Sequence, residues 1–238
     1  MNKIIDFNAD VGEGLNNEAL LLPYLDSCSI ACGGHAGSLE TIREVVTLAN
    51  HHNVKVGAHP SFPDQANFGR VEMDMSSADL FTSIKEQLRA FLMVLRESRT
   101  MINHIKPHGA LYNMAVYDER IASVVVEAIK GISTPVKLFA PFNSVISKIA
   151  TDAGISVKFE GFADRNYNED LSLVSRKLEN SVIENEVEIF EHVDRMFNQG
   201  IVKTIGGKMV EIEVDTFCVH GDNKNALNIL KSLSKSYR

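Results

Sequence analysis

Asp10 and Glu13 stand in the run Asp10-Val11-Gly12-Glu13-Gly14, His35 closes Cys32-Gly33-Gly34-His35, and His59 lies in Gly57-Ala58-His59-Pro60. Lys106 and His108 share Lys106-Pro107-His108-Gly109, and farther on come Asp164-Arg165 and His220-Gly221-Asp222. Carboxylates and imidazoles can trade protons near neutral pH, so this set offers general acid and base catalysis. Lys106 and Arg165 suit a substrate anion, or an oxygen whose negative charge grows during reaction. Lys106 and His108 are two residues apart on an extended run, hence on one side, with Pro107 fixing the backbone between them. Glycines on both sides of Glu13 free its backbone, and a carboxylate contributes nothing to an apolar core.

Each residue also has a plainer reading. A strand-end aspartate such as Asp10 often caps a turn through its own backbone. An isolated histidine is often a satisfied buried side chain, and Asp164-Arg165 can be a surface ion pair of little worth. Four histidines at four strand ends, His35, His59, His108 and His220, favour function instead. His51 and His52 lie late in a helical pattern and His104 and His192 lie away from the stops, so these four are assigned to structure or surface.

The elements that must position these groups are short β-branched runs, each ending at a cluster of Gly, Pro, His or Asp. Seven are expected: residues 4–8, 27–31, 54–56, 102–105, 136–139, 157–159 and 216–219. Six of the seven ends carry a charged or imidazole group; the fifth, Ala140-Pro141-Phe142-Asn143, does not. Helical stripes separate them: Leu39, Ile42, Val45, Val46 and Ala49; Leu80, Ile84, Leu88, Phe91, Leu92 and Leu95; Ile121, Val124, Val125 and Ala128. Another runs through Val145, Ile146, Ile149 and Ala150, with Asn143 as its N-cap and Gly154 as its stop, and the last holds Ala226, Leu227, Leu230 and Leu233. Two segments break the alternation: the polar stretch 166–183, and 201–214, where Gly206-Gly207 suggests a β-hairpin. Alternating strands and helices give a parallel sheet with right-handed crossovers, and closing it into a barrel gathers all the strand ends at one mouth. A single α/β-barrel domain over residues 1–238 is the economical expectation.

Composition narrows the function further. A net charge of -7 argues against a nucleic-acid binder, which normally shows a basic face. No run approaches the roughly 18 apolar residues of a membrane helix, and Met1-Asn2-Lys3 leads into a strand-like run without a signal-peptide core, so a cytoplasmic protein is expected. Cys28 and Cys32 share one strand-like run that would hold their Cα atoms ~13 Å apart, too far for a disulfide, so these and Cys218 read as reduced buried thiols. The chain has no G-x-x-x-x-G-K-[ST] loop, no G-x-G-x-x-G order and no G-x-S-x-G elbow, and Cys32 or Cys218 would be a nucleophile on position alone.

Seven motifs in order resemble those of the LamB/YcsF family, the family of the 5-oxoprolinase barrel component, over nearly the whole chain. They are Asn8-Ala9-Asp10-Val11-Gly12-Glu13-Gly14, Ile30-Ala31-Cys32-Gly33-Gly34-His35-Ala36-Gly37, Gly57-Ala58-His59-Pro60, Phe68-Gly69-Arg70, Lys106-Pro107-His108-Gly109-Ala110-Leu111-Tyr112-Asn113, Phe162-Ala163-Asp164-Arg165 and Cys218-Val219-His220-Gly221-Asp222. The chain departs from the family pattern at Gly34, usually Phe, at Ser38, usually Asp, and at Ser61, usually Gly. It also lacks the usual Gly near Leu171 and Pro near Ser175. The resemblance implies a seven-stranded (β/α) barrel of the glycoside hydrolase/deacetylase type. It implies ATP-dependent hydrolysis of 5-oxo-L-proline to L-glutamate, with two further 5-oxoprolinase subunits. ATP is then expected to bind mainly outside this chain, in keeping with the missing nucleotide motifs, and a homo-oligomer is left open.

On this reading Asp10 or Glu13 activates water, His59 or His108 protonates the departing nitrogen, and Lys106 and Arg165 hold the substrate carboxylate or phosphate and the developing oxyanion. His35, Asp164, Arg165, His220 and Asp222 complete the substrate-binding set. A rival reading keeps the barrel but makes the chain a self-sufficient metal-dependent amidohydrolase or deacetylase, with Asp10, His35 and His59 as ligands of a divalent ion. A third makes it a noncatalytic binding module for a sugar or small acid, which leaves acid, base and cation without a use.

Overall fold

The structure is a computed structural model and describes residues 5–237; Met1 to Ile4, and with them the start of the first expected strand, lie outside the described residues. Nine strands occur among the described residues: β1 (Phe7–Val11), β2 (Ser27–Ala31), β3 (Lys55–His59), β4 (His104–Ile105), β5 (Lys137–Ala140), β6 (Ser156–Phe162), β7 (Ile201–Lys203), β8 (Met209–Glu211) and β9 (Thr216–Cys218). Seven close into a barrel in the order β1-β2-β3-β4-β5-β6-β9, every pairing parallel, with β9 returning to β1. A barrel strand overlaps each of the seven expected runs, with shifted bounds: β1 covers Phe7–Val11 where 4–8 was expected, and β3 and β6 run on to His59 and Phe162. β7 and β8 form the expected antiparallel hairpin around Gly206-Gly207.

The helices are α1 (Glu18–Leu21), α2 (Leu39–His51), α3 (Ser77–Glu97), α4 (Gly109–Ala115), α5 (Glu119–Lys130), α6 (Val145–Asp152), α7 (Glu186–Gln199) and α8 (Ala226–Tyr237). Side-chain caps fix several starts: Ser38 accepts from the Thr41 amide, Ser76 from Asp79 and Asp118 from Ile121. The cap of α6 is Ser144, which accepts from the Ser147 amide, and not Asn143. Asn143 instead turns the chain ahead of the cap with φ +59, a left-handed conformation that Asn tolerates better than most residues. α7 was not expected from the sequence. It begins where Asn185 accepts from the Val187 and Glu188 amides and stops at left-handed Gly200.

Period-two alternation splits each barrel strand between the outer helices and the barrel interior. On β1, Phe7 packs outward near Tyr237 of α8, while Asn8 and Asp10 share the inner face. The interior is polar in its lower layers. Asn8 donates to the Thr216 hydroxyl, Thr216 to Asp6, and Ser29 meets His104 at 3.1 Å. His104 stacks flat on Phe139 and fills the space opposite Gly57, where a Cβ would collide with the imidazole. His104 and His192 are both buried, as a structural assignment requires, and all three cysteines are free and buried. No helix among the described residues is long and apolar enough to cross a membrane.

Candidate active site

A cavity of about 560 Å³ opens at the C-terminal ends of the barrel strands, within the size range of small-molecule sites. Eight of the ten site residues expected from the sequence line it: Asp10, Glu13, His59, Lys106, His108, Arg165, His220 and Asp222. His35 and Asp164 stand directly behind, each bonded to a lining residue.

Lys106 leaves the end of β4 and reaches across the barrel between Asp10 of β1 and Glu160 of β6. Its Nζ lies 3.0 Å from Asp10 Oδ1, 2.9 Å from Glu160 Oε1 and 3.2 Å from Cys218 Sγ. Tyr112 of α4 donates its hydroxyl to the other Glu160 oxygen. Burial works against the Lys106 ammonium, but Asp10 and Glu160 outweigh it and hold Lys106 well above the ordinary lysine range. Burial likewise pushes the Asp10 carboxyl up, but His59 and Lys106 overcome this and hold it well below the usual carboxylate range. The array is thus a buried ammonium between two carboxylates. Burial pushes Cys32 up to about 12 and Cys218 well above its usual range, so neither has the thiolate character of a nucleophile.

Glu13, His35, His59 and His108 form a second group beside it. Glu13 Oε1 lies 2.9 Å from His35 Nε2, 3.3 Å from His108 Nδ1 and 3.8 Å from His59 Nε2. His59 and His108 meet at 2.9 Å through Nε2 and Nδ1. The His35 and His108 rings stack 3.6 Å apart and nearly parallel. The outer nitrogens of His59 and His108 reach backbone carbonyls, Nδ1 of His59 that of Lys106 and Nε2 of His108 that of Phe68. Burial lowers His35 despite Glu13, and burial together with His59 and His35 lowers His108 well below the imidazole range. His59 goes the other way: burial would lower it, but Asp10, 3.4 Å away, raises it. Each of the four side chains offers a ligand atom within 4.8 Å of the other three, so together they could hold a metal ion. Asp10 is not in this group. It stands instead in a second cluster with Cys218 and His220.

Asp164 follows β6 and is buried, accepting from His220 Nδ1 at 2.8 Å, the His220 amide and the Asn223 side chain. Burial raises the Asp164 carboxyl, but His220 and these hydrogen bonds win and keep it low. An ionised Asp164 fixes the proton of His220 on Nδ1, leaving Nε2 without a hydrogen bond among the described residues. The Asp164-Arg165 ion pair of the plainer reading is not among the ion pairs of the described residues. Arg165 turns into the 166–183 segment, donating Nε to the Ser181 carbonyl and an Nη to that of Val174. Burial and neighbouring Arg176 bring its pKa down to about 10. Asp222 holds two other arginines, Arg70 at 2.9 Å and Arg176 at 3.0 Å.

Glu160, Tyr112, Arg70 and Arg176 belong to the site and were not among the expected residues. Tyr112 lies inside a motif already singled out, Glu160 sits just ahead of another, and Arg70 closes Phe68-Gly69-Arg70, so position was the available signal. The bland fifth strand end supplies the apolar wall of the cavity through Pro141 and Phe142.

Comparison with known proteins agrees with the motifs. The chain is 38% identical over 231 residues to the 5-oxoprolinase A subunit of Haemophilus influenzae (strain PittEE), covering 97% of this chain and 94% of that protein. It is 41% identical over 238 residues to the 5-oxoprolinase A subunit of Pyrococcus abyssi (strain GE5 / Orsay), covering 97% and 92%. The crystal structure of a lactam utilization protein from Thermus thermophilus superposes with a TM-score of 0.90 at 32% identity, over 98% of this chain and 97% of that one. The profile of the LamB/YcsF family matches residues 5–238, and the chain belongs to that family.

Proposed function

We propose that this chain is the barrel subunit of a cytoplasmic, ATP-dependent 5-oxoprolinase, opening the lactam of 5-oxo-L-proline to L-glutamate with two partner subunits. The observation that carries the reading is the convergence on one cavity of an ionised carboxylate, Asp10, an imidazole held by a carboxylate, His220 with Asp164, and a buried ammonium, Lys106. A lactam is a resonance-stabilised amide that water attacks slowly. Transfer of a phosphoryl group from ATP to its oxygen makes the carbonyl carbon electrophilic. Attack by one water and protonation of the ring nitrogen then break the C–N bond and leave an acyl phosphate, from which a second water releases phosphate. With no phosphate-binding loop in this sequence, the partner subunits bind the nucleotide.

Within this scheme Asp10 takes the proton from water. A carboxylate held so firmly is a weak base at rest; an anionic substrate group drawn to Lys106 loosens that hold and raises its basicity. Lys106 meets the growing charge on oxygen. His220 exchanges the proton at the ring nitrogen through Nε2, the position that Asp164 leaves open. Both nitrogens of His59 and of His108 are engaged, which favours His220 over either as the donor. Glu13 and His35 support the wall next to Asp10, and Arg70, Arg176 and Asp222 form a mouth with more cation than anion, suited to the substrate carboxylate. In the reconstituted assembly Asp10→Asn should abolish glutamate formation while leaving the barrel folded; turnover near the normal rate would remove Asp10 from the scheme.

The second reading, a self-sufficient metal-dependent amidohydrolase, draws on the Glu13, His35, His59 and His108 group. It requires amide hydrolysis by the isolated chain with neither ATP nor partners.

A further inference from the structure

We propose that Glu13, His35, His59 and His108 form a binding site for one divalent transition-metal ion of the zinc class. Two backbone carbonyls decide where the ring protons lie. A carbonyl oxygen can only accept, so the Lys106 carbonyl 2.8 Å from His59 Nδ1 and the Phe68 carbonyl 2.9 Å from His108 Nε2 each require a ring N–H. In neutral rings the other nitrogens, His59 Nε2 and His108 Nδ1, then carry lone pairs, and these point at each other across 2.9 Å. Glu13 Oε1, 3.3 Å from His108 Nδ1, adds a carboxylate to the same spot. Three electron-rich atoms at this spacing repel unless a cation lies among them.

The spacing suits a metal. Bonds of ~2.0–2.1 Å in a tetrahedron place ligand atoms ~3.3–3.4 Å apart, and the distances here run 2.9, 2.9, 3.3 and 3.8 Å. Three imidazoles and one carboxylate favour zinc, cobalt or nickel over magnesium or calcium, which prefer oxygen. Outer ring nitrogens tied to backbone carbonyls are the usual support of metal-bound histidines. The Phe68-Gly69-Arg70 motif, whose first two residues the reaction scheme does not use, serves this support. Phe68 adopts φ +54, and its carbonyl takes the His108 proton. Gly69 follows at φ +61, where a Cβ would lie 2.9 Å from His35 Cβ and 3.1 Å from His108 Cδ2. Glu13, His59 and His108 also line the cavity, so a cation held there is a Lewis acid beside Asp10.

The alternative cation is a single proton on His59. Purified full-length chain, stripped with a chelator and titrated with Zn²⁺ by calorimetry, separates the two. The expected result is one ion per chain with a submicromolar Kd, at least a hundredfold weaker in His35→Gln and in His108→Gln, with Mg²⁺ giving no comparable heat. Co²⁺ bound to the unaltered chain should show the intense visible absorption of a four- or five-coordinate ion, a readout that does not depend on the variants folding. Absence of stoichiometric Zn²⁺ and Co²⁺ binding, or an affinity unchanged in both folded variants, overturns the proposal and leaves His59 as an imidazolium. Neither outcome depends on which amide the enzyme opens.

Discussion

Lys106 is the residue on which most of the site's charge balance rests. Removing one partner of a buried ion pair leaves the others uncompensated, at a typical cost of ~3–5 kcal/mol. Lys106→Met should therefore lose about that much stability in urea titrations at neutral pH, because Asp10 and Glu160 remain buried together. The deficit should shrink as pH falls and the stranded Asp10 carboxyl takes up a proton; a deficit independent of pH would mean that this carboxylate is not the source. The unaltered chain behaves in the opposite sense. Asp10 and Asp164 have depressed folded-state pKa values, so their contribution is present above the ordinary carboxylate range of ~4 and is lost as pH falls from there toward the folded values. Asp164→Asn should remove part of this acid sensitivity. It should also lower kcat at least ~100-fold with a smaller change in KM, since the amide no longer fixes His220 in one tautomer. Equal losses in both parameters would make Asp164 a binding residue instead.

The elements were legible where the sequence changes character sharply. All seven barrel strands end in Gly, Pro, His or Asp clusters, and those clusters are the loops of the mouth. Glu160 is not legible as a site residue because β6 continues past its β-branched run to Phe162, which turns an expected loop residue into an inward strand residue. α7 is obscured because its buried stripe of Ile189, Val193 and Met196 includes His192 amid Glu188, Glu191 and Asp194, although Asn185 and Gly200 mark both ends. Arg165 turns away from Asp164 toward the Ser181 and Val174 carbonyls, since sequence adjacency says nothing about which way a side chain turns at a strand end.

Departures from the family pattern also resolve at this scale. A Cβ at Gly34 would collide with the Ser61 hydroxyl and lie 2.5 Å from Gln87 Oε1, so the space over Gly34 is filled by Ser61 and Gln87. Gly34→Ala should cost ~1–3 kcal/mol, and Ser61→Gly in the same chain should recover part of it; strictly additive thermal shifts would deny the coupling. Leu171, where the family usually has a glycine nearby, holds φ +66, the conformation a glycine adopts without strain. At the start of α6, Ser144→Ala should cost ~1 kcal/mol as a lost cap, with Asn143→Gly nearly neutral.

At the scale of the molecule, a closed parallel barrel gathers an acid, a base and an ammonium at one mouth but supplies no phosphate-binding loop. The site has the equipment to open an amide, and in the proposed scheme the energy to activate a lactam is supplied by the partner subunits. That division of labour fits the proposed reading of the chain as one part of a larger enzyme. Reaction type was legible only in outline from the residues, since carboxylates, imidazoles and a lysine serve many hydrolyses; the proposed choice among them draws on the relatives named as 5-oxoprolinase A subunits. The most direct test is glutamate formation from 5-oxoproline, measured for this chain alone, with ATP, and with both ATP and its partner subunits. Glutamate should appear only in the last case. Glutamate from the isolated chain without ATP would contradict the account and establish the self-sufficient hydrolase in its place.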